Sequence, residues 1–180
     1  MMKGATIWFT GLPCSGKTTV ADKVYNILKE RGYKVERLDG DIIRKSPISK
    51  DLGFSKEDRR KNLERVAFIA KLLSRNDVIV LATFVSPYNE IRRDIKEIIG
   101  PDRFHLVWTR CPVEVCIERD VKGMYKKALA GEIQNFTGID DPFEEPTDPA
   151  ADLILDTDKE DIDESVEKVL AYMKRRGLIE

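Results

Sequence analysis

Cysteine, histidine and glutamine are scarce in this chain, and no long apolar run occurs in its 180 residues. The three cysteines, Cys14, Cys111 and Cys116, are odd in number and match no zinc or redox spacing, which excludes a disulfide framework and points to reduced thiols. Gln134 is the only glutamine, a composition that leans toward a heat-adapted source and carries no functional weight. The apolar run Ala5 to Phe9, preceded by the single basic residue Lys3, is too short for a signal peptide or a membrane span, so a cytoplasmic protein is expected. Charge of one sign is also missing. The net charge is -1 although 35% of residues are charged, so no global field draws the chain to nucleic acid or to a membrane, and anion binding must be local. No internal repeat or low-complexity tail is present.

The length allows one domain, residues 1–180, with a full core. Short β-rich runs alternate with segments of helical spacing, the pattern of βαβ units around a parallel sheet. The strands are expected at Ala5 to Thr10, Lys34 to Leu38, Val78 to Phe84, Phe104 to Trp108 and Leu153 to Leu155. Helices are expected at Lys17 to Arg31, Lys56 to Ser74, Tyr88 to Ile99, Val113 to Arg119 and Asp161 to Arg175. The fold class that follows is α/β, a three-layer P-loop NTPase fold with a five-stranded parallel sheet and helices on both faces. Residues 120–151 fit less well. They mix a basic helix-like stretch with Gly131, Gly138, Pro142, Pro146 and Pro149, offer little to a core, and read as a lid or binding loop.

Gly11-Leu12-Pro13-Cys14-Ser15-Gly16-Lys17-Thr18 fits G-x-x-x-x-G-K-[ST] and stands directly after a strand and before a helix. Such a loop turns successive N–H groups inward on a nucleotide's phosphates, adds the Lys17 cation and offers the Thr18 hydroxyl to Mg²⁺. Thr19 continues the first helical turn beside it. A Gly-rich turn without a ligand is the alternative, and the flanking strand and helix weigh against it. The expected cofactors are therefore ATP and Mg²⁺. The N/T-K-x-D segment of a GTPase is absent. Asp39-Gly40-Asp41 follows the second strand, which places both carboxylates at the carboxyl edge of the sheet beside the phosphate loop. One carboxylate can organise the metal and the other can accept the proton of an attacking hydroxyl. Alone, D-G-D at a strand end is more often a turn.

A longer series of motifs is also present: Leu38-Asp-Gly-Asp41 with Arg44, Asp51-Leu-Gly-Phe-Ser55, Asp58-Arg59 with Asn62, Ser86-Pro-Tyr88, Arg119-Asp120, Lys122 to Ala128, Gly131-Glu-Ile133 and Phe136 to Asp140. In this order the series resembles adenylylsulfate kinase, which phosphorylates the 3′-hydroxyl of adenosine 5′-phosphosulfate, over nearly the whole chain. The resemblance implies that Arg44, Arg59 and Lys122 hold the phosphosulfate, that Asn62 fixes a polar edge, and that Phe54 and Phe136 sandwich the adenine. It adds Val85 and Asn135 to the substrate side and a homodimer as the assembly. Asp41 is assigned as the base, Asp39 and Thr18 as the metal side, and Lys17 and Ser86 complete the catalytic set, although Asp39 and Asp41 can be exchanged. Ser86 remains open between a phosphoserine, a positioning group and a helix cap, since Ser86-Pro87 is also an N-cap then N1 signature. Lys126 and Lys127 are expected to approach phosphates when the lid closes. His105 reads as a bystander.

The chain departs from the family at Ile42, where Asn is usual, at Glu64, where Arg is common, and by one extra residue between Arg44 and Asp51. These departures leave two alternatives: a related kinase acting on another nucleotide-like hydroxyl, or a nucleotide-binding module without chemistry. Intact Lys17, Thr18, Asp39 and Asp41 speak against the second.

Overall fold

The computed structural model describes residues 3–180. Five strands, β1 (Ala5–Thr10), β2 (Val35–Asp39), β3 (Ile79–Thr83), β4 (Phe104–Arg110) and β5 (Leu153–Asp156), form one sheet in the order β2-β3-β1-β4-β5. Every pairing is parallel. The helices are α1 (Lys17–Glu30), α2 (Gly40–Lys45), α3 (Lys56–Ser74), α4 (Asn89–Ile99), α5 (Val113–Arg119), α6 (Met124–Leu129) and α7 (Ile162–Arg175).

The layers follow from strand alternation. On β1 every residue is buried, because both faces of a parallel sheet are covered. Ile7 and Phe9 point to one face and meet Val24 and Leu28 of α1 and Val169 and Met173 of α7. Trp8 points to the other, into Val66, Ile91 and Ile95 of α3 and α4. On α1 the buried residues Val20, Ala21, Val24 and Leu28 repeat at helical spacing, one stripe toward the sheet. Ser55 starts α3 by accepting from the Asp58 amide at 3.1 Å, and Asp161 starts α7 by accepting from the Glu164 amide at 2.8 Å.

The expected α/β architecture with five parallel strands is found. Two short helices go beyond the reading. D-G-D does not form a simple turn, because Asp39 caps α2, and the basic stretch of residues 120–151 folds into α6. That stretch also contributes more to packing than expected. Tyr125 is fully buried and forms a third cluster with Cys111 and Cys116, against which Leu12, Phe136 and Ile139 pack.

Candidate active site

Thr10 ends β1, and the chain then turns through Gly11 to Gly16 into α1. A Cβ on Gly11 would stand 2.3 Å from Thr109 Oγ1, so only glycine permits this close approach. Gly16, at φ 100°, takes the left-handed conformation that aims the start of α1 at the loop. The loop is tied from outside by residues of β4, α5 and α6 and of the turn after β5. Ser15 Oγ and Thr109 Oγ1 lie 2.7 Å apart, Thr157 donates to the Ser15 carbonyl at 2.6 Å, Arg119 donates to the Cys14 carbonyl at 3.3 Å, and the Tyr125 hydroxyl donates to the Pro13 carbonyl at 2.7 Å. Cys14 sits at φ 63°, with its carbonyl held by Arg119. Leu12 and Pro13 are half-buried, whereas Thr18 and Thr19 are exposed on the first turn of α1.

Lys17 is buried, and its ammonium donates to the carbonyls of Gly11 and Leu12 at 2.8 Å each. Burial lowers its pKa to about 8, against smaller raising effects from Cys116, Cys14 and Asp39, while Lys122 lowers it further. Asp39 and Lys122 are thus close enough to act on Lys17 electrostatically.

Asp39 is held on several sides. Its Oδ2 accepts from the amides of Asp41 and Ile42 at 3.1 and 3.4 Å and so caps α2. Its Oδ1 accepts from Thr83 Oγ1 at 3.1 Å and from Thr18 Oγ1 at 3.4 Å, and Arg37 stands 3.5 Å away. Thr18 and Asp39 therefore offer two hard oxygen donors side by side. No cluster of three metal-ligating side chains exists among the described residues, a sparse donor set that fits Mg²⁺, which keeps most of its shell for phosphate oxygens and water. Asp41 sits two residues from Asp39 in the first turn of α2, largely exposed, and is paired with Lys122 from the segment before α6.

Of the cations expected on the acceptor side, Arg44 and Arg59 lie within electrostatic reach of each other, and Lys122 meets Asp41 on the helix that also carries Arg44. The Arg44 guanidinium stacks over the Phe54 ring at 4.6 Å and donates to the Gly53 carbonyl. Burial first, and the like charge of Arg59 second, hold its pKa below the usual value. Arg59 reaches Asp141 at 3.1 Å, Thr137 at 3.4 Å and the Asn135 carbonyl, which fastens the start of α3 to the segment carrying Phe136. One turn further along α3, Asn62 is 4% exposed and its Oδ1 has no partner among the described residues. A buried amide oxygen without a donor is an acceptor that a ligand or a water can fill. Phe54 is 65% exposed, and Phe136 packs edge-to-face on Tyr125 at 4.9 Å. The two rings belong to the segments joined by Arg59 and make no stacking pair with each other.

The structure narrows two readings that the sequence leaves open. Ser86 does not cap α4, whose N-cap is Tyr88. Instead Ser86 is buried at φ 41°, its hydroxyl accepting from Trp8 Nε1 at 3.1 Å and lying 3.0 Å from both Thr10 Oγ1 and the Phe84 carbonyl. A hydroxyl so engaged inside the core positions its turn, together with the Val85 carbonyl, which accepts from Thr10 at 2.7 Å. Glu64 faces Arg60 at 3.8 Å within a network that includes Glu90 and Asp94 of α4, so its charge belongs to the helix interface, whereas Ile42 is 69% exposed beside Asp41.

Arg92 was not anticipated. It is fully buried, donating to the Ser86 carbonyl at 2.8 Å, to Asn89 at 2.9 Å and to the Glu144 carbonyl at 2.6 Å, and burial lowers its pKa to about 10. A cavity of about 940 Å³ lies beside the phosphate loop along β4 and β5, sharing only Leu12 with the predicted site.

A sequence model described as adenylylsulphate kinase matches residues 3–156. The adenylyl-sulfate kinase of Halothermothrix orenii is 55% identical over 98% of this chain and 93% of its own length. The chain also superimposes on the Mycobacterium tuberculosis APS kinase in complex with AMPPNP and APS at TM-score 0.90 and 40% identity, covering 97% of this chain and 99% of that one. A gluconokinase from Sinorhizobium meliloti shares the fold alone, at TM-score 0.66 and 19% identity.

Proposed function

The chain belongs to the adenylylsulphate kinase family, and from that membership we propose how its cleft performs the reaction. The activity is transfer of the terminal phosphoryl group of ATP to the 3′-hydroxyl of adenosine 5′-phosphosulfate, giving 3′-phosphoadenosine 5′-phosphosulfate and ADP. The observation that supports it is the arrangement of Lys17, Thr18, Asp39 and Asp41 on one edge of the sheet, with Lys122 paired to Asp41 and with Arg44 and Arg59 within electrostatic reach of each other.

Lys17 exchanges its bonds to the Gly11 and Leu12 carbonyls for phosphate oxygens, and the amides at the start of α1 donate to the remaining phosphate oxygens. When bound at Thr18 and Asp39, Mg²⁺ would neutralise charge on those oxygens. Asp41 takes the proton of the 3′-hydroxyl as the phosphoryl group is transferred in line. Lys122 withholds that carboxylate until the phosphosulfate draws the ammonium away, which ties the availability of the base to occupancy of the acceptor site. Arg44 and Arg59 grip the phosphosulfate, Asn62 Oδ1 accepts from the acceptor's polar edge, and Phe54 and Phe136 cover the adenine. Val85, Ser86 and Asn135 position this side through their backbone. The reading includes a homodimer and a cytoplasmic setting; no described helix is long and apolar enough to cross a membrane.

The test is ADP release coupled to a spectroscopic readout, comparing adenosine 5′-phosphosulfate with nucleoside monophosphates, shikimate, gluconate and no acceptor. Release with the phosphosulfate well above every other arm is expected. A rate equal to the blank contradicts the reading.

A further inference from the structure

At the amino edge of the sheet, opposite the catalytic cleft, lies a second cavity of about 470 Å³. Its lining includes His105 of β4 together with Lys3, Arg103, Arg175 and Arg176, set against Asp77 and Asp102. Four cations and two carboxylates leave this wall at +2, in a chain whose net charge is -1. Among the described residues none of the four cations makes an ion pair or a side-chain hydrogen bond, although most other arginines of the chain do. Basic residues in the last turn of α7 complement its carbonyl end, which accounts for Arg175 but not for Arg103 or Lys3.

His105 supplies the second observation. It is 4% exposed, its Nδ1 lies 2.6 Å from the Tyr172 hydroxyl, and its Nε2 is buried without a partner among the described residues. Burial, with a smaller contribution from Arg176, favours the neutral ring against the opposing effect of Asp152. Of the two tautomers, the one in which the Tyr172 hydroxyl donates to Nδ1 puts the ring's proton on Nε2, as a donor without an acceptor. Folded proteins seldom leave such a donor unpaired, and one placed in the wall of a cationic cavity calls for an anionic acceptor.

We propose that this cavity is a second ligand site, binding a small molecule through a phosphate or sulfate group that Arg103 and Arg176 hold and that accepts from His105 Nε2. It shares no residue with the catalytic cleft, so it is separate from both substrates of the reaction. A nucleic-acid backbone fits less well, because the cations line one concave pocket instead of an extended stripe.

His105 is the only histidine of the chain, so its imidazole ¹H–¹⁵N signals report on the site without assignment. The full chain is titrated with orthophosphate and, separately, with sulfate, at constant ionic strength maintained with chloride. A saturable shift of the Nε2–H signal with either oxyanion is expected. It persists in Lys17→Ala, whose phosphate loop is impaired, and it weakens about tenfold in each of Arg103→Gln and Arg176→Gln, since a charge-assisted hydrogen bond is lost. Both arginines are exposed, and an unchanged melting temperature verifies the fold of each variant. Absence of a shift, a shift matched by chloride, or equal affinity in the Arg103→Gln, Arg176→Gln double variant overturns the proposal.

Discussion

Lys122 pairs with Asp41 across the cleft, joining the segment before α6 to the first turn of α2. The same ammonium is assigned to the acceptor's phosphosulfate, so the two contacts compete. Lys122→Ala is expected to raise the KM for the acceptor by about tenfold or more, the weight of one charge-assisted contact, with the KM for ATP little changed. Steady-state kinetics with each substrate varied in turn checks this, and an equal rise in both KM values contradicts the assignment.

Burial lowers the pKa of Lys17 to about 8, so above that pH the unliganded protein holds this amine largely neutral. Phosphate oxygens favour the charged form, so ATP binding raises the pKa and takes up a proton. Calorimetry at about pH 8.5 in buffers of different ionisation enthalpy should detect net proton uptake, and ATP affinity should fall as pH rises further. In Lys17→Ala the uptake should vanish.

Phe54 is exposed and rests on Arg44, with no core contact to lose. Phe54→Ala should therefore leave the melting temperature unchanged and raise the acceptor KM by an amount equivalent to about 1 to 3 kcal/mol, the value of stacking on one face of a base. A melting temperature that falls while KM holds would make Phe54 a structural residue.

Arg92 works from inside the fold, holding the carbonyls of Ser86 and Glu144 together. Arg92→Leu strands both acceptors, and denaturant unfolding should register a loss of about 2 to 4 kcal/mol. Stability equal to the parent's would show that the turn at Ser86 and the strap at Glu144 do not depend on it.

The strands and the phosphate loop were legible because their signals are local: near-continuous apolar runs, and glycines and a lysine at fixed spacing before a helical stripe. Asn62, Arg44 and Arg59 were legible only through the motif series, since a lone polar residue on a helix carries no periodic mark. The short helix α2 was not, because Asp-Gly-Asp has the composition of a turn, and only the capping bonds of Asp39 turn it into a helix start. Of the roles open for Ser86, the cap drops out for a related reason. Its Ser-Pro signature is that of a cap, but Trp8, far away in sequence, offers an indole N–H that holds the hydroxyl inside the core. The outer ties of the phosphate loop, Thr109, Tyr125 and Thr157, come from a strand, a helix and a turn far away in sequence, and no single-sequence pattern marks such contacts.

The central claim is that Asp41 acts on the acceptor hydroxyl across the cleft from Lys17. Turnover and ATP affinity of Asp41→Asn, set beside those of Lys17→Ala, test it most directly. Asp41→Asn should lose about 100-fold to 10,000-fold in kcat while its calorimetric Kd for ATP stays within a few-fold of the parent's, whereas Lys17→Ala should lose both. Parental turnover in Asp41→Asn would contradict the account.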